Sequence, residues 1–363
     1  MPCRSLEASE LISIHALPAI EGLRRQHKID RYRLRQLRAA FCKKRLGAEA
    51  ALAELPAESR EAFRQEVEFH SLRLESRHDS QLDGATRLIF RTSAGLLLET
   101  VILRLTTGRT ALCLSTQVGC AANCAFCATG KMGIARNLTA PEILDQLVQA
   151  GELLSAEGRQ VRNLVFMGMG EPFHNEEQLY AAIDVLVDST CFNLNPRRLM
   201  ISTVGIPLAM IRCASRYPET RMALSLHSAR EDVRRTIMPI ARRHSLAELR
   251  DALRRVTTIN QHVVMIEYLL LADVNDTPRD VEALVEYLRA IPVHVNLIPY
   301  NPIADAPHLL GSPRERREEF AAALKAAGLK VTTRYSLGSD IAAACGQLVR
   351  QEHRLAARTV QTS

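Results

Sequence analysis

The chain contains no tryptophan, and aromatic residues fill only 4 % of its 363 positions. Nucleic-acid recognition through an aromatic stacking platform is therefore not the expected mode. No run of eighteen apolar residues occurs, so no membrane-spanning helix and no membrane partner are expected. The first twenty residues, MPCRSLEASELISIHALPAI, hold acids and no long apolar stretch, so neither a secretory nor a transit peptide is expected. Internal repeats and low-complexity tracts are absent as well. With 47 % hydrophobic and 24 % charged residues, the composition is that of a folded globular protein, not a disordered one. Nine cysteines without an export signal place the expected compartment in the cytoplasm, where clustered thiols more often bind metal or do chemistry than form disulfides.

What the chain does have is charge in one place. Between Arg24 and Arg45 stand ten Lys and Arg residues against one acid, Asp30, a local balance of +9. The whole chain carries +7, so everything else sums to −2. Leu34, Leu37, Phe41 and Leu46 recur through the segment at helical spacing, which predicts an amphipathic helix with a basic outer face. A run of charge is usually a solvated surface, but this density on one short segment points to a polyanion partner. A second helical pattern follows through Leu52, Leu55, Phe63 and Val67. The polar stretch Ser76–Gln81 is expected to close this helical region.

Two apolar runs, Arg87–Arg91 and Leu96–Leu105, flank Thr92-Ser93-Ala94-Gly95 and predict a hairpin. Beyond it, short β-rich runs at 111–117, 163–169, 198–204, 220–226, 262–271, 292–299 and 330–335 alternate with amphipathic helical stretches. Pro141–Leu154 and Pro278–Ala290 each carry Pro near the first turn, a helix-start signal. Such alternation predicts an α/β fold with a parallel sheet covered by helices, its active site at the carboxyl ends of the strands.

The sharpest motif follows the first of those strands: Cys120-Ala-Ala-Asn-Cys124-Ala-Phe-Cys127. Three thiolates on one loop can converge on one metal centre. Structural zinc takes four protein ligands, and no fourth stands nearby, so zinc fits poorly. An iron–sulfur cube held by three cysteines fits better, with one iron left open for a substrate. Gly168-Met169-Gly170-Glu171-Pro172 ends the second strand, a glycine-rich turn with one carboxylate that suits an ammonium ligand. Two further thiols stand apart, Cys113 seven residues before Cys120, and Cys345 in Asp340-Ile-Ala-Ala-Ala-Cys345-Gly-Gln-Leu. Cys3, Cys42, Cys191 and Cys213 match no motif and read as small apolar fillers.

CxxxCxxC with the glycine-rich turn resembles the radical S-adenosylmethionine (SAM) superfamily. Cys113 and Cys345 narrow the resemblance to the RlmN/Cfr family of radical SAM RNA methyltransferases, and the match continues through Ser202–Gly205, Ser225–His227, Glu267-Tyr268, Val274–Asp276 and Asn296–Pro302. The resemblance implies a radical SAM partial (βα)6 barrel with a small N-terminal helical domain and a β-hairpin extension. The implied division is a basic helical RNA-binding domain at 1–82, the hairpin at 83–110, the catalytic domain at 111–349 and a tail at 350–363.

It further implies a [4Fe–4S] cluster on Cys120, Cys124 and Cys127, and SAM held at Gly170, Glu171, Ser202, Ser225, Leu226, His227 and Asn301. The implied reaction methylates an sp² carbon of adenine, C2 first and C8 as the alternative, in ribosomal or transfer RNA. Cys345 would carry the methyl group, Glu99 in Glu99-Thr100-Val101 would take the ring proton, and Cys113 would resolve the adduct through a disulfide with Cys345. A flavodoxin-like electron donor and a monomeric enzyme are also expected. A radical SAM enzyme acting on a small molecule or peptide is the different-class alternative; the Cys113/Cys345 pair and the basic segment stand against it. The chain departs from the family in carrying Ala241 where Asn is usual and in lacking the tryptophan-containing N-terminal helix. Ala128–Gly133 is closer to the C8 branch.

Overall fold

In the computed structural model, which describes residues 11–348, the basic segment folds as two helices, not one. Helix Leu17–Gln26 ends at His27, the backbone of Lys28 turns through φ 50°, and Asp30 caps helix Arg31–Arg38 by accepting from the Tyr32 amide at 2.7 Å. The second helix then widens into a π turn at Ala39–Lys43. Leu34, Leu37 and Phe41 are buried, as their spacing required, whereas Leu46 lies past the turn and is 49 % exposed. Arg38 is buried, and burial lowers the pKa of half-buried Arg45. Arg25, Lys28, Arg31, Arg33, Arg35, Lys43 and Lys44 are exposed and supply the basic face.

These helices belong to one of two compact units, which comprises the described residues through Arg73 together with 139–160 and 180–194. Helices Ala48–Leu52, Ala57–Glu66 and Ala140–Ala156 complete most of it. Leu23, Leu52, Leu55 and Phe63 join Leu37 and Phe41 as buried residues, and Phe41 meets Phe69 edge-on at 5.1 Å. Helix Ala140–Ala156 opens on a reciprocal cap in which Thr139 and Glu142 satisfy one another's backbone amides. On this helix the fully buried Asp145 accepts from His70 Nδ1 at 2.8 Å, the Leu72 amide at 2.8 Å and Gln149 Nε2 at 2.9 Å.

The second unit holds a ten-stranded sheet whose spatial order follows the chain. Its strands are β1 (Leu72–Asp79), β2 (Ala85–Thr92), β3 (Leu97–Arg104), β4 (Thr110–Cys113), β5 (Asn163–Phe166), β6 (Leu199–Thr203), β7 (Arg221–Ser225), β8 (Val264–Leu270), β9 (Val293–Pro299) and β10 (Lys330–Thr333). From β4 to β10 all pairings are parallel, while β2, β3 and β4 pair antiparallel. The sheet is open, with β10 and β1 at its edges, so the parallel strands form a partial barrel. The hairpin β2–β3 turns where expected. Ser76–Asp79 continues as the edge strand β1, since alternation leaves its polar side chains outward and Glu75 pairs with Arg91 at 2.9 Å. Cys3 and the expected tail at 350–363 lie outside the described residues. No helix among those described is long and apolar enough to cross a membrane.

Candidate active site

At the carboxyl ends of β4 to β10 lies one cavity. Cys120, Cys124 and Cys127 line one wall, from the loop that follows β4. That loop is fixed at its start by the Cys120 amide, which donates to the Gly133 carbonyl at 2.7 Å, and in its middle by Ala125, whose amide donates to Ile237 at 2.8 Å. The charge of Cys127 raises both Cys120 and Cys124, so the three thiols stand near one another. Three thiols suit an iron–sulfur cube with one iron left open better than a structural zinc, which takes four protein ligands. Burial pushes Cys120 up to about 12 and raises Cys124 and Cys127, and the thiols raise one another. Bare thiolates are costly here, and bound iron would neutralise them.

The opposite wall is the glycine-rich turn after β5. An added Cβ on Gly168 would meet the Leu114 carbonyl carbon and oxygen at 2.7 Å, and Gly170 holds φ +102°. The turn is bolted to the segment that follows β4: the Met169 amide donates to Ser115 Oγ at 2.8 Å, and the Glu171 amide to Gln117 Oε1 at 2.8 Å. The Glu171 side chain is buried and accepts from Phe173 N (3.1 Å), Thr203 Oγ1 (2.7 Å) and Val204 N (2.8 Å). Burial nevertheless pushes its carboxyl up to about 7, against those three donors. The result is a carboxylate fixed in orientation beside a pocket where a cationic ligand would favour its charged form.

Ser202, Ser225 and His227 line the same cavity. His227 Nδ1 accepts from the Leu269 amide at 3.0 Å, and its ring stands edge-on to Phe126 at 4.8 Å. Burial, with Arg234 nearby, pulls its pKa down to about 3, so the ring is neutral. Two of the expected SAM residues do not line the cavity. Leu226 is buried behind it, its carbonyl accepting from Arg234 Nε at 3.1 Å. Asn301 instead donates through Nδ2 to Ser336 Oγ and to the Cys345 carbonyl, both at 3.2 Å.

Cys345 is exposed and lines this cavity and also a smaller neighbouring one, which Cys113 lines from the end of β4. The backbone around Cys345 is strapped in place. The Ala128 amide donates to Gly346 O at 2.7 Å, Thr129 Oγ1 to Leu348 O at 2.7 Å, and the Gly338 amide to Asp83 Oδ2 at 2.8 Å. Burial pushes the Cys113 thiol up to about 12, Cys345 adds to that rise, and Arg334 opposes it. Glu99 lines neither cavity. It is fully buried on β3 with Arg87 Nη1 at 3.7 Å, two residues from Val101, which is in register with Cys113. Period-two alternation puts Glu99 on the face of Val101, which lines the Cys113 cavity.

Four side chains that no motif assigned also belong here. Arg334 and Ser336, just past β10, line both cavities. Thr203 lay inside the Ser202–Gly205 match, yet its hydroxyl role in holding Glu171 emerges only from the fold. Arg234 is fully buried, donates through Nη2 to Val204 O at 2.7 Å, and acts electrostatically on Cys124.

The Radical SAM superfamily profile matches residues 114–288. A protein of Rhodopirellula baltica named as a probable RNA methyltransferase is 51 % identical over 335 residues, 92 % of this chain and 87 % of that one. The dual-specificity RNA methyltransferase RlmN 1 of Myxococcus xanthus is 39 % identical over 292 residues, 80 % of this chain and 81 % of that one. Among solved structures, a radical SAM methyltransferase from Sphaerobacter thermophilus aligns with a TM-score of 0.88 at 36 % identity, covering 93 % of this chain and 98 % of that one.

Proposed function

From the premise that this chain belongs to the RlmN-type family of radical SAM methyltransferases, we propose that it methylates an sp² ring carbon of adenine, C2, in ribosomal or transfer RNA. It is a SAM-dependent methyltransferase whose cofactors are a [4Fe–4S] cluster and SAM. Bound and reduced, a [4Fe–4S] cluster would supply the electron for reductive cleavage of SAM. Cys120, Cys124 and Cys127 hold the cluster, and the Gly168–Glu171 turn with Ser202, Ser225 and His227 receives SAM.

An amidine carbon of adenine is electrophilic, so it cannot attack a sulfonium methyl directly. The methyl must travel on a protein sulfur first. Cys345 takes it from one SAM by displacement. Loss of a hydrogen from that S-methyl, driven by a second SAM, gives a methylene radical on Cys345 that adds to the base. Glu99 accepts the ring proton, and the one electron left over passes to a one-electron acceptor, a role the oxidised cluster would fill. Cys113 then attacks the Cys345 sulfur, breaking its bond to the base-linked carbon as the disulfide forms, and that carbon takes up the Cys113 proton to become the methyl group.

The observation that carries this reading is the position of Cys345, which lines both the cavity of the cluster thiols and the cavity of Cys113. A carrier must serve the SAM site and the resolving thiol in turn, and this residue borders both. The C8 alternative uses the same apparatus and differs in how the base is presented. Mass-spectrometric mapping of methyladenosines in RNA from cells with and without the protein tests the reading. Loss of 2-methyladenosine on deletion is expected; loss of 8-methyladenosine assigns the other ring position, and no change in RNA methylation overturns the reading. A flavodoxin-type donor is the expected reductant in a reconstituted assay.

A further inference from the structure

Outside the strand-end cavity, the described residues contain one trio of metal-ligating side chains whose donor atoms all lie within 4.8 Å of one another: His15, Cys42 and Cys191. All three belong to the helical unit. They come from three separate segments: the turn before helix Leu17–Gln26, the π turn Ala39–Lys43, and the loop after helix Glu176–Val187. Their exposures are 5 %, 1 % and 0 %. From sequence, both cysteines read as apolar fillers, and nothing singled out His15.

Three features separate this trio from ordinary packing. Among the described residues, the buried ring nitrogens of His15 find no oxygen or nitrogen partner, and of the trio only the Cys191 thiol interacts with the ring. Buried polar groups are normally paired, so the thiols are what this imidazole has to pair with. The ring is also clamped between Phe41, at 6.1 Å, and Phe192, stacked at 5.9 Å. These two residues are the chain neighbours of Cys42 and Cys191, so the segments that carry the thiols also fix the imidazole beside them. Finally, Cys42 sits within the π turn, where the Lys44 amide reaches back to the Ala39 carbonyl at 2.9 Å. Single π turns within helices recur at functional sites because the added residue re-aims a side chain.

We propose that His15, Cys42 and Cys191 form a second metal centre in the helical unit, a zinc site of the open type with three protein ligands. Two thiolates and one imidazole suit a borderline-soft ion and exclude magnesium or calcium, which take oxygen ligands. The fourth position is left to a water or another exogenous ligand. With both cysteines bound as thiolates, the dication leaves the centre neutral. Arg38, which acts electrostatically on both thiols, is paired with Asp188 at 3.6 Å.

The test uses the full chain. Protein purified anaerobically should hold about one zinc per chain in addition to its cluster iron. Cys42→Ser, Cys191→Ser and His15→Gln should lose the zinc and retain the iron. Because a core substitution can itself unfold the unit, a second measurement leaves the trio intact. A chain with Cys120, Cys124 and Cys127 all replaced by Ala is stripped with chelator and titrated with Co²⁺. One equivalent should produce the visible absorption of a tetrahedral cobalt–thiolate site, and adding Cys191→Ser should abolish it. Absence of zinc together with absence of that absorption overturns the proposal. So does a Cys42–Cys191 disulfide found by peptide mapping of the native protein.

Discussion

At the residue scale the thiols of the strand-end site stand in different surroundings. Cys113 is pushed up to about 12 by burial, so at neutral pH it is a thiol, and only a neighbour can ready it for attack. Arg334, which lines the same cavity, opposes that rise. Cys345→Ala should leave a cluster protein that binds SAM, receives no methyl group and never couples to RNA. Cys113→Ala should complete the addition and stall, leaving RNA attached through Cys345. A denaturing gel of protein expressed with its RNA should show a nuclease-sensitive shift for Cys113→Ala alone, and the double variant should behave as Cys345→Ala. A shift in Cys345→Ala would reverse the two roles. Gly168→Ala tests the turn. Its new Cβ would stand 2.7 Å from backbone atoms of Leu114, which cannot swing aside as a side chain could. Overpacking of this kind costs about 1–3 kcal/mol, and here it falls on the SAM wall. A SAM titration should therefore weaken by about tenfold or more while iron content holds, since each tenfold needs only about 1.4 kcal/mol. Cys120, Cys124 and Cys127 stood out in the sequence through their spacing, whereas Cys113 and Cys345 stood out only through the family resemblance. Arg334, Ser336 and Arg234 did not, because they converge on the site only through the sheet.

At the scale of elements, the seven parallel strands fall where alternation of β-rich and helical runs predicts them. β5 to β9 each lie between helical stretches, a signal that survives in one sequence. The break in the basic segment was hidden. It falls at Lys28, a non-glycine residue at positive φ, between helices of the same polarity pattern. The edge strand β1 was hidden too, because its side chains are nearly all polar and only cross-strand pairing makes it a strand. The join between helix Ala140–Ala156 and His70 has a pH signature. Burial opposes charging the His70 ring, but the Asp145 hydrogen bond and charge, with Glu152, outweigh it and raise the pKa above its ordinary 6.5. A raised folded-state value stabilises the fold below the unfolded pKa, and the gain disappears as pH rises through the folded one. The ring is one-third exposed, so the gain is on the order of 1 kcal/mol after screening. Wild type should therefore melt above His70→Gln at about pH 6, with the gap shrinking towards about pH 9. A gap that stays constant across that range would show that the pair acts through packing and not charge.

At the scale of the whole molecule, the excess positive charge is confined to one segment. The net charge is +7, of which residues 24–45 supply +9, so the remaining chain repels a polyanion weakly. The fold sharpens this. Arg38 and Arg45 turn inward, and seven exposed cations between Arg25 and Lys44 remain as the basic face. With no tryptophan and few aromatics, phosphate contact and counterion release are the available source of affinity. Binding should then fall steeply with salt, with a log–log slope that counts the phosphates neutralised. Replacing Arg31, Arg33 and Arg35 by Gln should flatten that slope by about three, one for each contact removed. The same variant should keep its iron and its SAM cleavage without RNA, since the cluster loop and the SAM wall belong to the sheet unit and these arginines to the helical one. Arg38→Gln serves as the contrast: a buried guanidinium facing Asp188 and Thr190 should affect stability and leave the salt slope unchanged. Equal slopes for wild type and the triple variant would make the basic face a solvated surface and move RNA recognition elsewhere in the chain.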